Sequence, residues 1–128
     1  MESPAFTLGQ IAINCRDVAR ACAFYRDVLE LPLLFEAGGM AFFRLGDVRL
    51  MLSLPSAPEL DHAGSILYLR CDHIETRLAT LRERGAVVRR DAQLTHRDAR
   101  HELWNAFFED SEGNLLALME ERFPPNAG

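Results

Sequence analysis

From Gln10 to Asn14 polar and apolar residues alternate, the period of a strand with one covered face. Past Asp17 the spacing changes. Val18, Ala21, Cys22, Tyr25, Val28 and Leu29 recur at helical intervals and lay an apolar stripe along one side. Asp17 is the expected N-cap, its carboxylate accepting orphan amide hydrogens. Leu31-Pro32 is the expected stop, because the residue before proline is pushed out of helical geometry. Three short strands fit the rest of this half, at about 32–36, 40–45 and 48–54, with Gly38-Gly39 and Gly46-Asp47 as turns. Pro55, Pro58 and the polar stretch up to Gly64 read as a linker.

The second half repeats this order. Strand 65–70 leads to helix 72–84, capped by Asp72, with Ile74, Leu78 and Leu81 inward and Gly85 as the stop. A strand near 86–90 precedes a polar loop from Asp91 to Arg100. Strands 102–109 and 114–120 are joined by Asp110-Ser111-Glu112-Gly113-Asn114, a strong hairpin signal. The tail from Phe123 is expected to fray. Gln10 maps onto Ser65 and Asp17 onto Asp72, both 55 residues apart (65 − 10 and 72 − 17). Each half is thus β-α-β-β-β. One such half leaves an apolar sheet face bare, so the two are expected to pair.

Composition narrows the partners. At 128 residues, 48% hydrophobic and 26% charged, the chain supports one compact domain. A net charge of −5 argues against nucleic acid or an anionic membrane, both of which call for basic patches. Arg77, Arg82 and Arg84 alternate with Glu75 and Glu83, the pattern of a solvated helix face. Three cysteines without metal-type spacing favour reduced thiols in a cytoplasmic protein. No apolar run reaches the ~20 residues of a membrane span, and Met1-Glu2-Ser3-Pro4 does not read as the start of a signal peptide.

Two stretches carry a resemblance. Asp17-Val18 with Phe24-Tyr25-Arg26-Asp27-Val28-Leu29, and Phe107-Phe108-Glu109-Asp110-Ser111-Glu112-Gly113-Asn114-Leu115-Leu116, are similar to the vicinal oxygen chelate superfamily. That superfamily contains glyoxalase I, the bleomycin-resistance proteins and the extradiol dioxygenases. The resemblance spans about residues 8–120 and implies an α+β fold of two paired βαβββ modules in a single domain. Module one would cover about 8–55, the linker 56–63 and module two about 64–120. A homodimer is implied, with a curled sheet enclosing a cup-shaped cavity.

Strand alternation then assigns the cup face. If Ile11 and Ile13 pack under the helices, then Gln10, Ala12 and Asn14 face the cavity. Arg49, Met51 and Ser53 join them, then Ser65, Leu67 and Leu69, then Leu103, Asn105 and Phe107, then Leu115, Ala117 and Met119. Metal-dependent relatives place ligands on the first and last strand of each module, which carries over to Gln10, Met51, Ser65 and Ala117. Only Gln10 offers the oxygen donor such relatives use, and a divalent ion needs several carboxylates or imidazoles. No metal or other cofactor is therefore expected.

His101 shares the parity of Leu103 and should sit at the cup rim, where an imidazole is the usual proton shuttle; Glu102 points the other way. The plain alternative is that His101 only caps its strand. The 91–100 loop, with His96, is a candidate lid or a plain surface loop, and His62 and His73 carry no expected role. Arg49 could meet an acidic ligand group or pair with Asp47. Asn14 and Asn105 could orient a ligand or satisfy loop backbone. Trp104, Phe42, Phe43 and Phe108 read as core aromatics, Trp104 turned away from the cup.

Two functions fit. The first is a bleomycin-resistance-like protein binding a small organic molecule in a metal-free cup, using Met51, Leu67, Phe107 and Met119 for contact and Gln10, Asn14 and Asn105 for orientation. The second is a lactoylglutathione lyase-like or epimerase-like enzyme with His101 as base.

Overall fold

A computed structural model describes residues 5–61 and 63–123 and divides into two compact units between Gly64 and Ser65. In the first unit β1 (Gln10–Asn14) leads to α1 (Val18–Ala23), which widens into a π-helical turn over Phe24–Val28. Strands β2 (Leu33–Ala37), β3 (Met40–Leu45) and β4 (Val48–Ser53) complete a sheet in the order β1-β4-β3-β2. β1 runs parallel to β4 and the other pairs are antiparallel. Asp17 caps α1, accepting the Arg20 amide at 3.0 Å. The helix stops before Leu31-Pro32: Glu30 takes a left-handed φ of 57°, and the Leu31 amide reaches back to the Tyr25 carbonyl. Ala41, Phe43, Leu50 and Leu52, from β3 and β4, are sealed from solvent, as are Ala21, Cys22 and Tyr25 from the helix. Each large member contributes about 1.5–3 kcal/mol by its burial.

The second unit has β5 (Leu67–Arg70), α2 (Ile74–Glu83), β6 (Val87–Arg97), β7 (Glu102–Glu109) and β8 (Leu115–Arg122), in the sheet order β5-β8-β7-β6. Ile74, Leu78 and Leu81 are buried from α2, and Gly85 ends the helix at φ 94°. Asp110 anchors the β7–β8 turn, its Oδ1 accepting the amides of Glu112 and Asn114 at 2.8 Å each.

Three expectations are corrected. The residues from Asp91 to Arg97 are not loop; they extend β6 to 11 residues with register shifts, leaving a short turn closed by Asp98 N–H to the His101 carbonyl. Asp72 does not cap α2. The cap position is His73, in left-handed conformation, and the carboxylate of Glu120 reaches across from β8 to accept the His73 and Ile74 amides at 3.0 Å each. The repeat offset is also 56 in the first strand and helix, not 55. Val18 and Ile74 open the two helices, and the amides of Cys15 and Cys71 donate to the equivalent carbonyls of Ser53 and Met119. The His62 side chain and the tail beyond Phe123 lie outside the described residues. Among the described residues no helix is long and apolar enough to cross a membrane.

Candidate functional site

Each sheet presents one face to its helix and one away from it. In the first unit the register places Gln10 beside Arg49 and Ala12 beside Met51, with Phe42 opposite Met51. Ile11 lies with the buried Leu50 and Ile13 with the buried Leu52, so Gln10, Ala12, Asn14, Arg49, Met51 and Ser53 share the helix-free face. Arg49 does not pair with Asp47. Its Nε donates to Gln10 Oε1 at 2.7 Å and its guanidinium lies 5.1 Å from the Phe42 ring centroid. Gln10 Nε2 in turn points at Met51 Sδ, 3.8 Å away. Phe42 stacks on Phe35 with centroids 4.4 Å apart. Asn14 donates to the Leu60 carbonyl at 2.6 Å and so fastens the linker turn (Pro58–Leu60) to β1.

In the second unit Asn105 lies opposite Met119, and Phe107 opposite Ala117, on the face away from α2. The neighbour of Ala117 on β5 is Tyr68, while Leu67 and Leu69 align with the helix-side Leu116 and Leu118. The expected inward placement of Leu67 is therefore reversed, because a one-residue slip turns every side chain over. Ser65 precedes the strand, and by the 56-residue offset Ile66 takes its place opposite Gln10 in the repeat. Tyr68 meets Phe107 edge-on at 5.9 Å, and Arg90 sits 5.7 Å from the Phe107 centroid. Strand alternation under the shorter offset marks neither of them; the shared spacing of Cys15 and Cys71 is the signal that could have found Tyr68. The Asn105 Oδ1 atom is buried and has no hydrogen-bond partner among the described residues.

His101 stands at the start of β7. Its Nδ1 lies 3.2 Å from Asp98 Oδ1, its Nε2 3.7 Å from Glu121, and its ring stacks on Phe123. Asp98 is the organiser of this corner. His96 Nε2 at 3.0 Å, then the amides of Arg100 and His101, hold its carboxyl far below the usual range. A cleft of about 360 Å³ opens there, lined by Arg97, Asp98, His101, Glu102, Arg122 and Phe123. Trp104 lies opposite Glu120, on the helix side, donates to Glu102 at 2.9 Å and lies 4.5 Å beneath the Arg122 guanidinium.

The positions equivalent to metal ligands hold an amide (Gln10, engaged with Arg49), a thioether (Met51), an aliphatic chain (Ile66) and a methyl (Ala117). That donor set does not fit a divalent cation. Among the described residues no three His, Cys, Asp or Glu side chains are placed to hold one.

Solved structures share this architecture. A lactoylglutathione lyase from Agrobacterium tumefaciens is 20% identical, with 93% of this chain and 96% of that one aligned at a TM-score of 0.66. A glyoxalase/bleomycin resistance protein/dioxygenase from Alicyclobacillus acidocaldarius is 19% identical over 99% and 98%, with a TM-score of 0.70. TnmS3, an antibiotic binding protein from Streptomyces sp. CB03234, is 23% identical over 93% and 98%, with a TM-score of 0.71. No curated protein matches the chain in sequence. Residues 7–118 match the family model, and with two βαβββ units behind that match the chain belongs to the Glyoxalase/Bleomycin resistance protein/Dioxygenase superfamily, the vicinal oxygen chelate group.

Proposed function

We propose that the chain binds a small organic molecule on its helix-free sheet faces and does so without a divalent cation. The observation that carries this reading is the unpartnered Asn105 Oδ1, buried on a face that also bears Tyr68, Phe107 and Met119. An orphaned acceptor costs about 1–3 kcal/mol, which a donor on a bound molecule would recover. Aromatic and thioether surface with a few directional polar groups is the usual composition of such a site. Gln10 and Met51 offer a second surface of the same kind on the first unit. The likeness to an antibiotic binding protein is in keeping with this reading, and a homodimer is proposed as the working form.

Thermal-shift screening against small amphipathic compounds, with and without chelator, tests it. A true ligand at 100 times its Kd adds about 2.7 kcal/mol of stability, unchanged by chelator. Stoichiometric metal retained through chelation, with ligand binding lost on its removal, defeats the proposal.

A lyase- or epimerase-like reading has one supporting observation: Asp98 orients the His101 imidazole as an acid/base pair requires. Turnover of methylglyoxal with glutathione that survives chelator and vanishes in His101→Ala would favour it.

A further inference from the structure

On the helix-free face of the first unit two arginines occupy directly opposite positions on neighbouring strands. Arg44 of β3 and Arg49 of β4 are cross-strand partners. Like charges in that position repel, and a carboxylate beside them would relieve the repulsion. Neither is paired with one among the described residues. Arg49 spends its Nε on the neutral Gln10 and rests against Phe42, while the side chain of Arg44 makes no hydrogen bond or ion pair. Asp47 lines the same cleft without pairing to either one. The backbone around them is rigidly placed, since the Arg44 amide donates to Pro32 O at 2.9 Å and the Arg49 amide to Gly9 O at 3.0 Å.

The cleft beside this pair has a volume of about 240 Å³ and is lined by Gly9, Leu34, Gly46 and Val48 as well as by the charged side chains. Nothing approaches within 4 Å of where a Cβ would stand at Gly9 or Gly46, so room exists for a ligand group of several atoms. Arg49 is already oriented through its Nε, which leaves its terminal nitrogens free to donate. Planar guanidinium forks match the oxygens of a carboxylate or phosphate.

The geometry points to an oxyanion subsite: Arg44 and Arg49 together receive a carboxylate or phosphate group. Resting on the ligand-binding reading above, it assigns the small molecule an acidic end at this pair and an apolar body against Leu34 and Val48, which line the same cleft. Asp47 stays at the rim and disfavours a second negative charge. The oxyanion has two possible sources, the organic ligand itself or free inorganic phosphate.

Calorimetric titration of the full chain with 1-naphthylacetate, its neutral amide 1-naphthylacetamide and inorganic phosphate separates these. The acid should bind about tenfold or more tighter than the amide at low salt. The ratio should fall toward one in Arg44→Gln and partly return in Arg44→Lys. Equal binding of acid and amide by the wild type overturns the oxyanion subsite and leaves the ligand-binding reading standing. Phosphate binding lost in Arg44→Gln, with neither naphthyl compound bound, keeps the subsite but removes the organic ligand. Absence of binding by all three overturns both. Arg44 is exposed, so its replacement should not unfold the chain; a circular dichroism spectrum unchanged from wild type checks this.

Discussion

In the first unit the helix is capped from its own chain start, by Asp17 three residues before the amide it receives. In the second the equivalent position is His73, and the cap comes from Glu120, 47 residues away on β8. The two faces away from the helices differ in the same spirit. One is a connected set of Gln10, Arg49 and Met51; the other sets Tyr68 and Arg90 against Phe107 and carries, at Asn105, an acceptor without a partner among the described residues. Beneath both, Phe43 opposite Leu50 and Phe108 opposite Leu116 make one core twice. Duplication has preserved what packing demands and released what hydrogen bonding can supply by another route.

The core half of this comparison makes the largest prediction. Phe43→Ala and Phe108→Ala each remove a fully buried ring and should each cost about 3–5 kcal/mol in urea unfolding. Trp104, the single tryptophan, lies in the second unit and reports on its unfolding. If the units unfold together, its fluorescence and the far-ultraviolet circular dichroism will give coincident transitions in both variants. A Phe43→Ala chain whose circular dichroism melts early while Trp104 holds would break the equivalence.

The capping contrast is next in size. Glu120→Ala leaves the His73 amide and the buried Ile74 amide without their acceptor and should cost about 2 kcal/mol, against about 1 for Asp17→Ala. It also has a pH signature. Burial raises the Glu120 carboxyl, but the Ile74 amide, Arg122 and the His73 amide outweigh it and hold the group below its ordinary value of 4.5. Arg122 does the same to Glu75 at 2.5 Å. A carboxyl with a depressed folded-state value takes up protons preferentially on unfolding. Its stabilisation is thus complete above the unfolded value and fades as pH falls through the folded one. Wild-type stability should decline below about pH 4.5, more steeply than in Glu120→Gln, as urea midpoints across the acid range would show. Parallel slopes would remove Glu120 from that role.

The same contrast explains what could be read in advance. Alternation and helical spacing placed β1, α1, β3, β4, β7 and the inward stripe of α2, because each has one covered face. β6 beyond Arg90 stayed hidden: Asp91, Gln93, Thr95 and Arg97 are exposed, so its pairing to β7 leaves no hydrophobic rhythm to detect. The register of β5 is masked in the sequence for a different reason. Asp72 looks like Asp17, so aligning the two as caps shortened the offset to 55 and turned Leu67 inward in place of Tyr68. A cap delivered from β8 cannot be seen in the local pattern. Of the open faces, Gln10, Arg49, Met51, Asn105, Phe107, Ala117 and Met119 were placed by parity alone, whereas the company they keep depended on tertiary register.

The smallest effect separates binding from architecture at the second face. Asn105 has Met119 opposite it, and its buried oxygen meets no donor. A polar atom that serves the fold is normally paired, so one left bare is a cost the fold carries. Asn105→Leu keeps the shape and removes that cost, and the free protein should be unchanged or about 1 kcal/mol more stable. Met51→Leu, a volume-conserving change on the first face, should stay within about 1.5 kcal/mol of wild type and serves as the reference. A ligand that stabilises the wild type should lose much of its effect in Asn105→Leu and little in Met51→Leu if the orphaned oxygen receives it. A loss of more than about 1 kcal/mol in unliganded Asn105→Leu would instead mean that the amide serves the sheet, and the second face would then lose its strongest claim to a ligand.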